Sequence, residues 1–281
     1  MHSLKIVLRL TGNLFRGEFL QWRTQIALLL TLPVLYMCRM EGAEGLHMVE
    51  PFVSAWSWVF GASTLTLCLL VIQSAAPFFH RNESFVASRV GRWPWMCARV
   101  LYMLSMSAFF LLFIWLGTLL LNFSAIDWRV STLSPTALSS TSPIDFDLTE
   151  IPPWPCFFWV FLLAWLYVSF FALLIFALNL RLPQGVGVAV AMGVCGIGGI
   201  FGSISASALG LNPVYFPAFH LLLFQHNLPW VQGAADLSDW PTLPESLAYL
   251  GGLVLLLLVI IALLIPGYAF ACSKNRLDDE R

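Results

Sequence analysis

Apolar residues in this chain do not alternate with polar ones. They gather in six long blocks, at about 22–40, 52–76, 97–122, 154–179, 183–210 and 246–271. Unbroken apolar runs of this length predict membrane-spanning helices, whereas barrel strands would show short alternating stretches. The first 21 residues predict one more helix, over 3–21. At 100° per residue, Lys5, Arg9, Arg16 and Arg23 fall within about 40° of one another, and Leu4, Val7, Leu10, Leu14 and Phe15 face broadly away. A basic stripe opposite an apolar face is the pattern of a helix lying in the membrane interface. The plainer alternative is a basic flank that happens to be helical. The charge-free part of the first block, Thr24–Cys38, covers only about 22 Å at 1.5 Å per residue, so Arg23 and Arg39 are expected to snorkel to the two interfaces. The first block starts too far in, and lacks an A-x-A-like site, to be a cleaved signal.

Composition agrees with the blocks: 59% of residues are hydrophobic and 10% charged. This predicts an all-α polytopic membrane protein built as one transmembrane domain over 1–281. Charge then orients it. Of the 14 Lys and Arg, 12 lie at the N-terminus, in 77–99, in 180–182 or at the C-terminus; only Arg39 and Arg129 lie in the other three gaps, which hold 10 of the 15 Asp and Glu. Basic flanks stay cytoplasmic, so both termini are expected inside. Trp128, Trp154, Trp230 and Trp240 then form an outer aromatic belt, and Trp22, Trp93 and Trp95 an inner one. The Ser-, Thr- and Pro-rich 123–153 stretch reads as an irregular outer loop. Residues 211–245, with an apolar stretch Tyr215–Gln225 too short to span and broken by Pro213, Pro217 and Pro229, read as a re-entrant hairpin.

Several chemistries are missing. Away from Arg23, Arg39 and Arg99 near their ends, the six blocks hold no Asp, Glu, Lys, Arg or His. Ion-coupled carriers need an intramembrane ionisable group, and an intramembrane hydrolase needs a nucleophile with a base or a metal. The chain is therefore read as no enzyme. His220 and His226 share one loop without a nearby acid or Cys, so no metal site and no cofactor are expected. The six cysteines show no C-x-x-C spacing, and only Cys38 and Cys156 are expected near the same face. No G-x-x-x-x-G-K-[ST] is present, which places any nucleotide hydrolysis in another chain. No basic cluster interleaved with aromatics suggests nucleic acid. Gly185, Gly187, Gly193, Gly196, Gly198, Gly199, Gly202 and Gly210 crowd the fifth block, where packing is the leading reading and a hinge the alternative. Trp159, Trp165, Phe170 and Phe171 of the fourth block fit lipid-facing or core positions, and name no substrate site.

The 79–95 segment is longer than a turn requires. Asn82 is a fair N-cap, Glu83 suits the positive end of a short helix, and Pro94 would end it. Val86, Val90 and Trp93 fall at i, i+4 and i+7 as an apolar stripe, with Arg89 and Arg92 beside it. Such an amphipathic helix is suited to docking a soluble partner, although a loop whose arginines only set orientation is the plainer alternative.

With these features the chain resembles the membrane subunits of ABC exporters of the ABC-2 type. Glu83, Gly91, Pro94 and Arg99 follow the order of an acid entering the coupling helix, a Gly, a Pro and a basic residue opening the third span. The usual Glu-Arg-Glu-x-Gly opening is degraded here to Arg81-Asn82-Glu83-Ser84-Phe85. Asn212-Pro213-Val214-Tyr215 resembles the Pro-x-x-Tyr-like segment of the bacteriocin-immunity branch. The resemblance implies a permease in a bacterial plasma membrane, working as a pair with an identical or related permease. It also implies two copies of a separate ATPase that binds ATP and Mg and docks through Arg81, Glu83, Phe85, Val86, Arg89, Val90, Arg92 and Trp93. The expected activity is export of an amphipathic or hydrophobic substrate, such as an antimicrobial peptide in self-protection. A non-transport sensor or assembly subunit holding a partner through the same loop is the alternative.

Overall fold

In hydrocarbon a backbone amide finds no partner except within its own helix or a closed barrel, and this chain takes the first solution. The computed structural model describes residues 2–40, 43–57, 59–76, 83–133, 152–182, 185–203 and 243–279. Its helices are α1 (His2–Phe19), α2 (Trp22–Met37), α3 (Glu50–Ser57), α4 (Val59–Gln73), α5 (Glu83–Val90), α6 (Arg92–Leu121), α7 (Pro153–Asn179), α8 (Val186–Ser203) and α9 (Leu243–Asp279). Among the described residues there is no strand, only an isolated bridge between Leu46 and Ile126. Three helical stretches, Arg92–Leu121, Pro153–Asn179 and Pro244–Ile265, are each long and apolar enough to cross a membrane. The chain is a helical membrane protein.

The other apolar blocks depart from straight spans. The second is a bent pair: Glu50–Trp56 and Gly61–Gln73 meet at 85°. Packing holds α3 off the axis of α4. Phe52 and Trp56 are fully buried, their rings stacked 6.4 Å apart, and Phe52 lies 5.3 Å from Phe157 of α7. The first block is a 16-residue helix with Pro33 inside it. The fifth supplies the apolar helix Val186–Ile197 within α8, shorter than the three spans above. Residues 204–242 lie outside the described set, and with them most of the expected hairpin, His220, His226, Trp230 and Trp240.

At the centre, α7 contacts α3, α4, α6, α8 and α9. Phe157 meets Trp115 of α6 at 5.1 Å, and Trp165 Nε1 donates to the Leu104 carbonyl at 2.9 Å. Gln73 of α4 donates from Nε2 to the Met103 carbonyl and the Ser107 hydroxyl of α6, both at 3.2 Å. Cys195 of α8 donates to the Ser63 carbonyl of α4 at 3.8 Å. Cys38, Cys68, Cys97, Cys156 and Cys195 are free thiols.

The chain ends of these helices collect at two poles. At one, the Met40 N–H donates to Asn122 Oδ1 at 2.9 Å, Leu46 and Ile126 pair, and His47 lies edge-on to Trp154 at 6.1 Å. At the other, the end of α4 meets the end of α7, α5 packs on α6, and α1 begins its course along the first half of α6. The second pole carries Lys5, Arg9, Arg16, Arg89, Arg92 and Arg181 as exposed residues; we call it the basic pole.

The amino-terminal helix forms as expected, but its surroundings differ. Thr11 donates to the Ala98 carbonyl at 3.2 Å, Phe15 meets Tyr102 and Phe109 at 5.6 and 5.8 Å, and Phe19 meets Phe109 at 5.7 Å. These pairings advance along both helices together, so α1 runs alongside α6 and not across it. Its apolar side, with Leu14 buried and Val7, Leu10 and Phe15 partly so, is spent on protein, while Leu4 stays exposed. Arg23 also departs from expectation. It does not stretch to the interface but turns back to an ion pair with Glu18.

Candidate partner-binding site

The 79–95 segment folds as an elbow. α5 has eight residues, and α6 starts at Arg92 immediately after Gly91. Gly91 adopts φ 90° and ψ 150°, a conformation open essentially to glycine alone. The break falls at Gly91, not at Pro94. Pro94 sits in the first turn of α6, where its missing N–H costs nothing because no carbonyl of that helix lies behind it. The change of direction at Gly91 also divides the expected stripe: Val86 and Val90 belong to α5 and Trp93 to α6. α5 packs back on α6, and Val86 and Val90 are partly buried. Arg89, Arg92 and Trp93 remain on the surface, Trp93 with 54% of its area exposed.

Of the other expected docking residues, Arg81 and the proposed cap Asn82 lie outside the described residues. Glu83 opens α5 and Phe85 lies within it, with side chains outside the described set. Two cations and one indole thus stand exposed on either side of the Gly91 turn.

Behind the elbow lies chemistry that the sequence pattern did not reveal. Glu18 is 0% exposed and receives hydrogen bonds from Arg23 and from Gln21 Nε2, the latter at 2.7 Å. Thr24 Oγ1 donates to the Glu18 carbonyl at 2.8 Å, closing the α1–α2 corner. Arg99 of α6, only 4% exposed, sits over the Trp95 ring at 5.8 Å. Trp95 is buried beneath it, and so does not join an inner aromatic belt with the exposed Trp22 and Trp93. Tyr102, fully buried next to Arg99 on α6, meets Phe15 of α1 at 5.6 Å and so brings this part of α6 against the turn of α1 that carries Glu18. One signal existed: Glu18 is the sole acid of α1 and falls within its apolar arc, beside Leu14 and Val7.

A second buried acid stands at the opposite pole. Glu50 is 0% exposed and accepts the His47 N–H at 3.2 Å. His47 in turn accepts the Val49 N–H at Nδ1, 3.4 Å away, and burial pushes its imidazole pKa below the ordinary value. The second block was expected to begin at residue 52, which left Glu50 in a loop. The α3 helix carries it into the bundle instead.

Among the described residues no three His, Cys, Asp or Glu cluster as metal ligands. Comparison with known proteins gives no match: no protein family fits the chain, and no curated protein or solved structure is similar to it.

Proposed function

We infer that this chain is the permease subunit of an ATP-driven exporter of the ABC-2 type, and that the α5–Gly91–α6 elbow is its coupling surface. The observation that carries this reading is the elbow itself: a short helix set off by a glycine-only turn, presenting Arg89, Arg92 and Trp93 outward. A loop that only fixed orientation would need charge, but neither the helix nor the exposed indole. In this reading the basic pole is cytoplasmic, the six apolar blocks are six spans, and both termini lie inside. The gathering of alternate chain ends at two poles, with cations at one, favours that topology.

ATP hydrolysis belongs to a separate subunit present in two copies, which binds ATP and Mg. The region between α3, α4, α6 and α7 is filled by Phe52, Trp56, Phe110, Phe171 and Phe176, each at most 1% exposed. An amphipathic or hydrophobic substrate, such as an antimicrobial peptide, would therefore pass between this chain and a second permease and not through a lumen of its own. Nucleotide-driven closure of the ATPases would move the elbow and through it α6.

The test is co-purification with an ATP-binding subunit, followed by nucleotide-dependent efflux of an amphipathic peptide from cells or vesicles. Arg89→Glu/Trp93→Ala should abolish association while leaving the folded yield unchanged, since both side chains are exposed. Transport by the lone chain without nucleotide would refute the reading. A stable complex whose ATPase activity ignores every amphipathic cargo would favour a non-transport assembly subunit.

A further inference from the structure

α5 packs on α6 and joins it at Gly91, so a displacement of α5 acts on α6, and Gln73 carries it from α6 to the end of α4. That terminus is tied down. Gln73 holds it to α6, as described above. Asn179, the last residue of α7 and buried, donates from Nδ2 to the Ala76 carbonyl at 2.6 Å. The following helix is pressed onto the same side chain. A Cβ on Gly187 would overlap Asn179 Oδ1 and stand 3.0 Å from both Asn179 Cγ and Leu178 Cβ. Asn179 Oδ1 is buried with no hydrogen-bond donor among the described residues, and the Gly187 backbone is what closes over it. A Cα–H against a carbonyl oxygen is a recurrent contact where helices approach closely. One side chain therefore joins the ends of α4 and α7 to the start of α8.

The residue type fits the task. An amide offers a donor to the Ala76 carbonyl and carries no charge into the bundle. An aspartate would set a negative charge against that carbonyl, and a leucine would leave it unpaired where water is scarce. Glycine at 187 is the only residue that admits the approach.

We propose that Asn179 is a positioning residue that makes α4, α7 and α8 follow α5 as one body, with Gly187 allowing α8 to join. The purpose of this pin rests on the exporter reading; its geometry does not.

The experiment uses the full chain in nanodiscs, with bioorthogonal spin labels at Ala87 of α5 and Val194 of α8. The native protein should give one narrow distance distribution. Asn179→Ala should broaden it, and Asn179→Ser, which keeps a donor, should restore part of it; an unchanged distribution in Asn179→Ala overturns the proposal. A second arm covers the risk of misfolding. Gly187→Ala alone should lose most of its folded yield, and Asn179→Ala in the same chain should recover it by removing the overlap; additive losses overturn the proposed contact. In complex with the ATPase, Asn179→Ala should still dock and hydrolyse ATP, with roughly tenfold less efflux per ATP, the scale of ordinary coupling energies. Parallel loss of docking, hydrolysis and efflux would mark a merely structural role and overturn the proposal. A native chain without nucleotide-dependent efflux overturns the exporter reading alone, and the label distances then decide the pin.

Discussion

Glu18 and Glu50 are equally buried, at opposite ends of one bundle, and the helices that carry them turn opposite dipole ends toward them. Glu18 lies in the last turn of α1, where the peptide dipoles of its helix point their negative end at it. It survives there through the guanidinium of Arg23 and the amide of Gln21. Glu50 lies in the first turn of α3, at the positive end of that helix, and accepts the backbone N–H of His47. A buried charge needs either a counter-charge or a field of oriented dipoles. The basic pole contributes the Arg23 guanidinium, and the opposite pole contributes a helix N-terminus and the His47 N–H. The two ends should therefore fail under different perturbations: the basic pole when a charge is removed, the opposite pole when its hydrogen bonds are titrated.

The sharpest way to break this comparison is to neutralise each acid while keeping its shape. Glu18→Gln should cost about 3–5 kcal/mol, the usual penalty for stripping one partner from a buried ion pair. A loss below about 1 kcal/mol in denaturant unfolding would show that Arg23 is served by other acceptors.

Next in size is the elbow. Gly91→Ala should cost about 1–3 kcal/mol, because the φ and ψ of residue 91 are strained for any side chain. Partner association, read by co-purification, should weaken with it, as the angle between α5 and α6 changes. Wild-type affinity and stability would mean that the turn readily adopts another geometry.

Glu50→Gln should cost only about 0.5–1.5 kcal/mol, since a neutral Oε1 still accepts the His47 N–H. If its effect equals that of Glu18→Gln, the contrast between the poles collapses.

The smallest effect is a pH dependence at the same pole. Burial lowers the His47 pKa, so the folded state binds fewer protons than the unfolded state just below the ordinary value of 6.5. Stability should be constant above that pH as far as this group is concerned, fall as pH drops through 6.5, and level off below the lowered value. The cause is burial, which strips solvent from the charged imidazolium more than from the neutral ring. Thermal unfolding between pH 7.5 and 5.5 should show the slope in the native chain, and His47→Gln should flatten it.

How far the sequence carried varies by element. The ends of α7 were legible almost to the residue, because Pro152 and Pro153 open it and Asn179 closes an unbroken apolar run. The short α5 was legible from Glu83 onward, yet its end was misplaced. Pro94 reads as a helix stop, whereas in space it opens the next helix and Gly91 makes the break. The exposure of Arg89, Arg92 and Trp93 was legible because it follows from charge and from position at a chain turn. The poles were not found. Glu18, Arg99 and Glu50 stand at or beyond the ends of apolar blocks, where charge ordinarily means solvent, and only their partners reveal otherwise.

The chain's one-dimensional pattern determined that it is helical and membrane-embedded, because the lack of water in a bilayer constrains each apolar segment separately, whatever its neighbours. The same holds for the segregation of its cations, which reports on segments one at a time. Tertiary structure alone decided the 85° bend between α3 and α4, the turn of Arg23 back to Glu18, and the approach of Gly187 to Asn179. Each arises between different helices, Arg23 and Glu18 across the α1–α2 corner, Gly187 and Asn179 across the α7–α8 turn, and the α3–α4 bend where Phe157 of α7 packs on Phe52. No periodicity within a segment encodes such contacts.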